Sequence, residues 1–176
     1  MLVQNIGKYP RYNELKTFVM DFYNEYDLHN SGQYALQGKD KHDGQFCCLR
    51  QKFGGTFTGH DDRTHSTLLE IFEGTEIETL FNWLSDYTVC RSRIFVLGQG
   101  NKSEYGIHTD PTKRLHVPIV TNESCGFNFY DENKSLVHTD FLSADGSVYI
   151  VDTTVFHNTQ NTNNEDRIHV VCSYYD

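Results

Sequence analysis

Apolar and polar positions change rhythm partway along the chain. Between Tyr12 and Tyr26, in YNELKTFVMDFYNEY, Leu15, Phe18, Val19 and Phe22 recur at three- and four-residue intervals with polar residues between them. That is the period of a helix with one buried stripe, so a packing helix with an acidic outer face is predicted. The stretch GGTFTGHDDRTHSTLLE carries glycines, threonines and charges without a period, and reads as an irregular loop or a short strand beside one. A second helix is predicted from about Thr75 to Tyr87 in GTEIETLFNWLSDY, where Thr75 and Glu78 have the spacing of a capping box.

From Ser92 onward the helical period is gone. RIFVLG, YGIHTD, RLHVPIV, GFNFYD, SLVHTD, SVYIVD and RIHVVCSYY are short β-runs separated by turn residues. Strands spaced by roughly 8–12 residues suggest an antiparallel sandwich or barrel. The predicted architecture is mainly β with flanking helices: a helical and looped part over 1–90 against a jelly-roll or barrel core over 91–176. A length of 176 residues suits one domain with one core.

Composition narrows the function classes. Eleven Tyr and 12 Phe favour strands. Fifteen Lys and Arg against 24 Asp and Glu give a formal charge of -9, which repels phosphate backbones and argues against general nucleic-acid binding. No run is apolar enough to span a bilayer, and MLVQNIGKYPRYNEL has neither the apolar core nor the cleavage site of a secretory signal. Five cysteines, two of them adjacent at Cys47 and Cys48, form neither a paired framework nor a CxxC pattern. Reduced thiols in a cytoplasmic protein are expected. Nothing in the sequence fixes the oligomeric state.

The string His-Thr-Asp occurs twice, at His108–Asp110 and at His138–Asp140, and His60 and Asp62 form a third H-x-D step. Alternate residues on a strand share a face, so such a step can grip one ion, yet chance produces it easily. Context separates the copies. After the first come RLHV, then VYIVDTTVFHNTQNTNNEDRIHVV, which brings His157 near a turn and Arg167 beyond it. Two histidines and a carboxylate, His108, Asp110 and His157, are the ligands of the facial triad of non-haem Fe(II) oxygenases, which leaves one face of the metal open. Those positions can take a 2-oxo acid and O₂. Arg167 is placed to bind the far carboxylate of 2-oxoglutarate through both guanidinium nitrogens, and Arg114 and His116, alternating on one strand, can reach the same cosubstrate. Iron, Asp110, Arg167 and Arg114 together with the dianion come near neutrality, which favours a small anionic ligand.

HTD, RLHVPI, VYIVDTTVFHNTQN and DRIHVV, spread over about residues 91–174, resemble the aspartyl/asparaginyl β-hydroxylase type of 2-oxoglutarate/Fe(II) oxygenase. The resemblance implies a double-stranded β-helix (a cupin-like jelly roll), Fe(II) and 2-oxoglutarate as cofactor and cosubstrate, and Arg167 and the Arg114–His116 pair as cosubstrate contacts. It also implies a small-molecule or peptide substrate bearing a carboxylate, for which Arg91 and Arg93 are the candidate contacts; the competing reading makes them solubility charges on an edge strand. In that pattern His138 and Asp140 supply no ligand and have a structural or surface role. His60 and Asp62 read as solvated loop residues, and His169 as a pocket or core residue. Asp152 and Asn158 are either supports of the His157 imidazole or turn caps. A metal-binding cupin of another class, isomerase-like, and a non-catalytic binding barrel stay open as alternatives.

Overall fold

The computed structural model describes residues 1–28, 32–47, 52–53, 56–57, 61–100 and 106–176. Along the chain run β1 (Val3–Lys8), α1 (Tyr12–Glu25), β2 (Gln33–Ala35), β3 (Gln37–Gly38), β4 (Lys52–Phe53), β5 (Thr56–Phe57) and β6 (Thr67–Leu68), with short 3-10 turns at Asp62–Thr64 and Glu70–Phe72. Then come α2 (Glu76–Trp83), β7 (Thr88–Leu97), β8 (Lys113–Val120), β9 (Phe127–Tyr130), β10 (Leu136–Asp140), β11 (Ser147–Val151), β12 (His157–Thr159) and β13 (Arg167–Tyr175).

Helix α1 forms where the pattern places it. Leu15, Val19 and Phe22 are buried as expected, Tyr23 joins them, and Phe18 packs half-buried against the same core. Helix α2 is shorter than predicted and ends at Trp83, with Leu84 as its C-cap. Its capping differs in one detail from the expected box. Thr75 Oγ1 accepts from the Ile77 N–H at 3.2 Å, but Glu78 reaches one residue further back, to the Gly74 N–H at 2.6 Å, because the Thr75 N–H already donates to Phe72 O.

The strands make a jelly roll of the cupin type. A six-stranded antiparallel sheet has the order β1-β11-β8-β13-β7-β2, and a three-stranded sheet, β10-β9-β12, lies across its inner face. Strands β8 and β13 lie in the interior of the large sheet and are buried on both faces, so each alternates between two environments. Leu115, Val117 and Ile119 of β8 and Ile168, Val170 and Cys172 of β13 pack with Leu15, Val19, Ile77 and Leu80 of the helices. A fully buried Val or Leu there contributes about 1.5–3 kcal/mol. The intervening residues, Arg114 and His116 on one strand and Arg167, His169 and Ser173 on the other, therefore face the space between the sheets. Phe127, Phe129, Leu142 and Val151 supply its apolar lining.

Two expectations about the strands need correcting. The segment before residue 91, expected to be helical and looped, supplies β1 and β2, the two edges of the large sheet. Strand β1 hides from pattern reading because most of its side chains are exposed, and β2 has only three residues. YGIHTD does not form a strand: among its described residues only His108 pairs, in a single bridge to His157. Gly106 at φ 62° on one side and Pro111 on the other keep the ladder from growing.

Candidate metal centre

His108 and His157 come from segments far apart in the chain, and their main chains join them. The His108 N–H donates to His157 O at 3.0 Å and the His157 N–H to His108 O at 2.9 Å, which brings the two imidazoles to 4.4 Å between ring centroids. Two residues on, the Asp110 N–H donates to Thr153 O at 2.7 Å, and Thr153 Oγ1 in turn donates to Thr112 O at 2.7 Å. One ligand atom from each of His108, Asp110 and His157 lies within 4.8 Å of the others. The carboxylate and imidazole thus stand side by side, held by a main-chain bridge, one further main-chain hydrogen bond and one side-chain anchor rather than by a regular strand.

The tautomers follow from the hydrogen bonds. His108 Nδ1 lies 3.1 Å from Gly106 O and His157 Nδ1 lies 2.9 Å from Val155 O. A carbonyl only accepts, so each Nδ1 carries the proton and each Nε2 offers its lone pair. Burial, with smaller contributions from His108 and Arg114, holds His157 below the usual imidazole range and keeps it neutral. For Asp110, burial alone would raise the carboxyl, but Arg114 outweighs it by charge and by hydrogen bond, with Arg93 adding to it, so the group is held well below the usual carboxylate range. Two neutral Nε2 donors and one carboxylate are the donor set that suits Fe(II) with open positions.

Arg114 stands beside this cluster. Its Nε donates to Asp110 Oδ2 at 3.1 Å and its Nη1 to Asp62 Oδ2 at 3.1 Å and to Ser173 Oγ. Ser173 Oγ donates to the same Asp62 oxygen at 2.7 Å, and Arg91 Nε lies 3.6 Å from Asp62 Oδ1. Asp62, expected to be solvated, is 1% exposed: it tucks the turn at Asp62–Thr64 against β7 and β13. Its partner His60 lies outside the described residues. Neither Asp62 nor Ser173 carries a signal in the sequence, since both roles arise from contacts across long chain separations. Arg114, expected at the cosubstrate, is committed at two of its nitrogens to carboxylates, with Nη2 left over.

A second polar group lies deeper, toward the start of β13. Arg167 is 1% exposed, and its Nη2 donates to His169 Nδ1 at 3.2 Å, while Nε and Nη1 have no partner among the described residues. His116 Nδ1 lies 3.3 Å from the same His169 nitrogen. A guanidinium only donates, so His169 Nδ1 accepts, its proton sits on Nε2, and His116 donates from Nδ1. The Nε2 atoms of His116 and His169 are likewise buried and without a partner. Burial brings the Arg167 guanidinium down to about 10, and burial followed by the charge of Arg167 holds both histidines well below the imidazole range. The group is a buried cation with unused donors, and a cation in that state is suited to pairing with an anion.

The remaining candidates sort themselves by position. On the exposed strand β10, His138 Nε2 meets Asp140 Oδ2 at 3.0 Å, so the second His-Thr-Asp copy pairs with itself. Asp152 caps Thr154 through its N–H and hydroxyl, and Asn158 bonds Asn128 and Tyr130. Neither supports His157, whose Nδ1 is taken by a main-chain carbonyl. Arg91 and Arg93 lie on β7, between β13 and β2, and both are buried, so the edge-strand reading of them falls. Arg91 occupies a β-bulge at φ 48° and turns to Asp62. Arg93 Nη1 donates to Arg91 O at 3.2 Å.

Residues 82–176 match the family model described as aspartyl/asparaginyl beta-hydroxylase, more than half of the chain and all of the elements that carry the two histidines, the carboxylate and Arg167. The chain belongs to the aspartyl/asparaginyl β-hydroxylase family. No curated protein matches it. Among solved structures, IDO from Bacillus thuringiensis is similar over 99% of this chain and 90% of its own, at 9% identity and a TM-score of 0.53, a likeness of fold. An oxidoreductase of the 2OG-Fe(II) oxygenase family from Burkholderia pseudomallei aligns at 17% identity and a TM-score of 0.45 over 55% of this chain and 56% of that one. This β-hydroxylase family member therefore spans little more than half the length of that protein. A cupin domain from Bordetella pertussis aligns at 19% identity and a TM-score of 0.37 over 48% of this chain and 80% of its own. The family match leaves out the segment that contributes Asp62, β1 and β2.

Proposed function

We propose that this protein is an Fe(II)- and 2-oxoglutarate-dependent dioxygenase that hydroxylates a small-molecule or peptidyl substrate bearing a carboxylate. The observation that carries the reading is Arg167. A fully buried guanidinium with two unused nitrogens, in the inter-sheet space that also holds His108, Asp110 and His157, costs several kcal/mol of desolvation unless an anion meets it. On this reading a dicarboxylate is anchored there at one end and meets a metal at the other.

Each residue then has a role. His108, Asp110 and His157 hold the metal. Arg167 anchors the far carboxylate of 2-oxoglutarate, with His169 fixing the plane of its guanidinium through Nη2 and offering its own Nε2–H. His116 presents an acceptor nitrogen to the same space, and Arg114 keeps Asp110 ionised and oriented. Bound iron, with 2-oxoglutarate and O₂, would supply the oxidising power for inserting oxygen into a substrate C–H bond, with CO₂ and succinate as by-products. The charge balance supports an acidic substrate. Among the described residues, Asp62 and Asp110 are the carboxylates that meet Arg91 and Arg114, and a divalent metal with a dianionic cosubstrate adds no net charge to this arginine-rich group. Arg93 is the candidate contact, since Arg91 is turned to Asp62.

The test is anaerobic loading with Fe(II) and 2-oxoglutarate, then admission of O₂ with amino acids, short acidic peptides and neutral compounds in turn, reading succinate. Stimulated succinate release by a carboxylate-bearing compound is expected. A protein that takes up metal but binds no 2-oxoglutarate would instead be a metal-binding cupin of another class.

A further inference from the structure

We infer that Asp62 is a positioning residue of the metal site, acting through Arg114 on Asp110; the inference rests on reading His108, Asp110 and His157 as metal ligands. The geometry is a relay. Arg114 donates from Nε to Asp110 and from Nη1 to Asp62, so one rigid plane is fixed at both ends by carboxylates. Asp62 is itself fixed from two further sides, by the Ser173 hydroxyl at 2.7 Å and by Arg91 at 3.6 Å. It stands outside the ligand cluster. Its carboxylate is engaged by Arg114, Ser173 and Arg91.

The relay matters because Arg114 has two opposing effects on Asp110. It holds the carboxylate in place, and its positive charge competes with a metal for the same oxygens. A second carboxylate on the far side of the guanidinium neutralises part of that charge, so the Arg114 plane competes less with a metal while still orienting Asp110. The residue that does this comes from a turn preceding the family-matched region. The N-terminal segment thereby reaches the metal site through a residue that is not itself in the ligand cluster. Partners of this kind typically carry 10–100-fold in metal affinity.

The experiment is Mn(II) titration of the metal-free protein, reading the electron paramagnetic resonance signal of the free ion, with thermal unfolding of each metal-free variant alongside. Asp62→Asn should weaken Mn(II) binding about 10–100-fold, and Arg114→Gln should weaken it as well. Because Asp62 acts through Arg114, the double variant should bind no more weakly than Arg114→Gln alone. That double variant leaves neither member of the Asp62–Arg114 pair as a charge without the other, so the comparison remains if Asp62→Asn alone does not fold. Val170→Ala, which thins the core on the opposite face of β13, should lower thermal stability and leave Mn(II) affinity unchanged. Unchanged affinity in Asp62→Asn, additive losses in the double variant, or an equal loss in Val170→Ala would each overturn the inference. Absence of Mn(II) binding by the unsubstituted protein would overturn the metal-site reading itself.

Discussion

His108 and His157 exchange both of their main-chain hydrogen bonds, at 3.0 and 2.9 Å, in one isolated antiparallel bridge. The pairing of these two positions is therefore a property of the backbone and survives loss of either side chain. Replacing His108, Asp110 or His157 by alanine should leave a folded protein that has lost metal, because two remaining groups do not hold an open-sided ion. His138→Ala and Asp140→Ala remove a contact on β10, and in the first case a stacking contact with Phe129, and should retain it. Metal content of the purified variants decides the matter; equal losses in His138→Ala and His108→Ala would move the site to the other copy.

Arg167→Met should separate two properties that are usually lost together. Truncating one partner of a buried charge pair costs about 2–5 kcal/mol of binding, so anaerobic titration should show 2-oxoglutarate affinity lost while metal uptake persists. The ligand-free protein should be as stable as the parent or more so, since a desolvated cation with two unused nitrogens has been replaced by an apolar chain of similar length. Full 2-oxoglutarate affinity in this variant would take Arg167 out of the cosubstrate site.

His116 and His169 predict how stability depends on pH. Both are buried and held neutral, well below the ordinary imidazole value of 6.5, by desolvation and by the nearby Arg167 charge. The unfolded chain takes up protons at these positions near that value, and the folded chain does not. Stability of the metal-free protein should therefore be flat above about pH 6.5 as far as these two groups are concerned. It should fall as the pH drops below that value, by on the order of 1 kcal/mol per pH unit for each histidine. Denaturant unfolding at a series of pH values checks this, and His169→Gln should flatten the slope.

Arg93→Ala tests the substrate class. Arg93 is buried on the face of β7 toward the site, and its charge helps depress the Asp110 carboxyl. Its removal should raise the KM for a carboxylate-bearing substrate with little change in 2-oxoglutarate affinity. Turnover stimulated only by neutral compounds, at parental KM in this variant, would remove the carboxylate from the substrate description and leave the metal site standing.

Sequence patterning reached the elements with strong periodicity and missed those without it. Helix α1 was legible because Leu15, Val19 and Phe22 lie on one stripe, and β8 and β13 because they are apolar on the helix-facing side of the large sheet. The candidate ligands were legible as a group through their order and context, His-Thr-Asp first and then His157 around a turn, and the structure brings His108, Asp110 and His157 together. Asp62 was not, because a buried carboxylate and a solvated one look alike in a loop until the partners Arg114, Ser173 and Arg91 are brought to it. Asp152 and Asn158 read either as supports of the His157 imidazole or as turn caps; Asp152 is a cap, and the Nδ1 atoms of His108 and His157 instead meet the Gly106 and Val155 carbonyls. Every residue has a carbonyl, so such a role leaves no trace in composition.

Strand β13 follows β7 and β8 in the chain but lies between them in the sheet. During synthesis β7 and β8 therefore emerge with a vacant slot between them, and neither can complete its ladder until residues 167–175 have been made. Arg167, His169 and Ser173 all ride on the strand that fills it. The buried Arg167 guanidinium, the brace on Asp62 and the closure of the large sheet arrive in one event, so a nascent chain does not hold a half-built inter-sheet cluster. Pairings this distant in sequence also make the closing step slow relative to helix formation, and the open edges of β7 and β8 are the surfaces most exposed to misassociation in the interval.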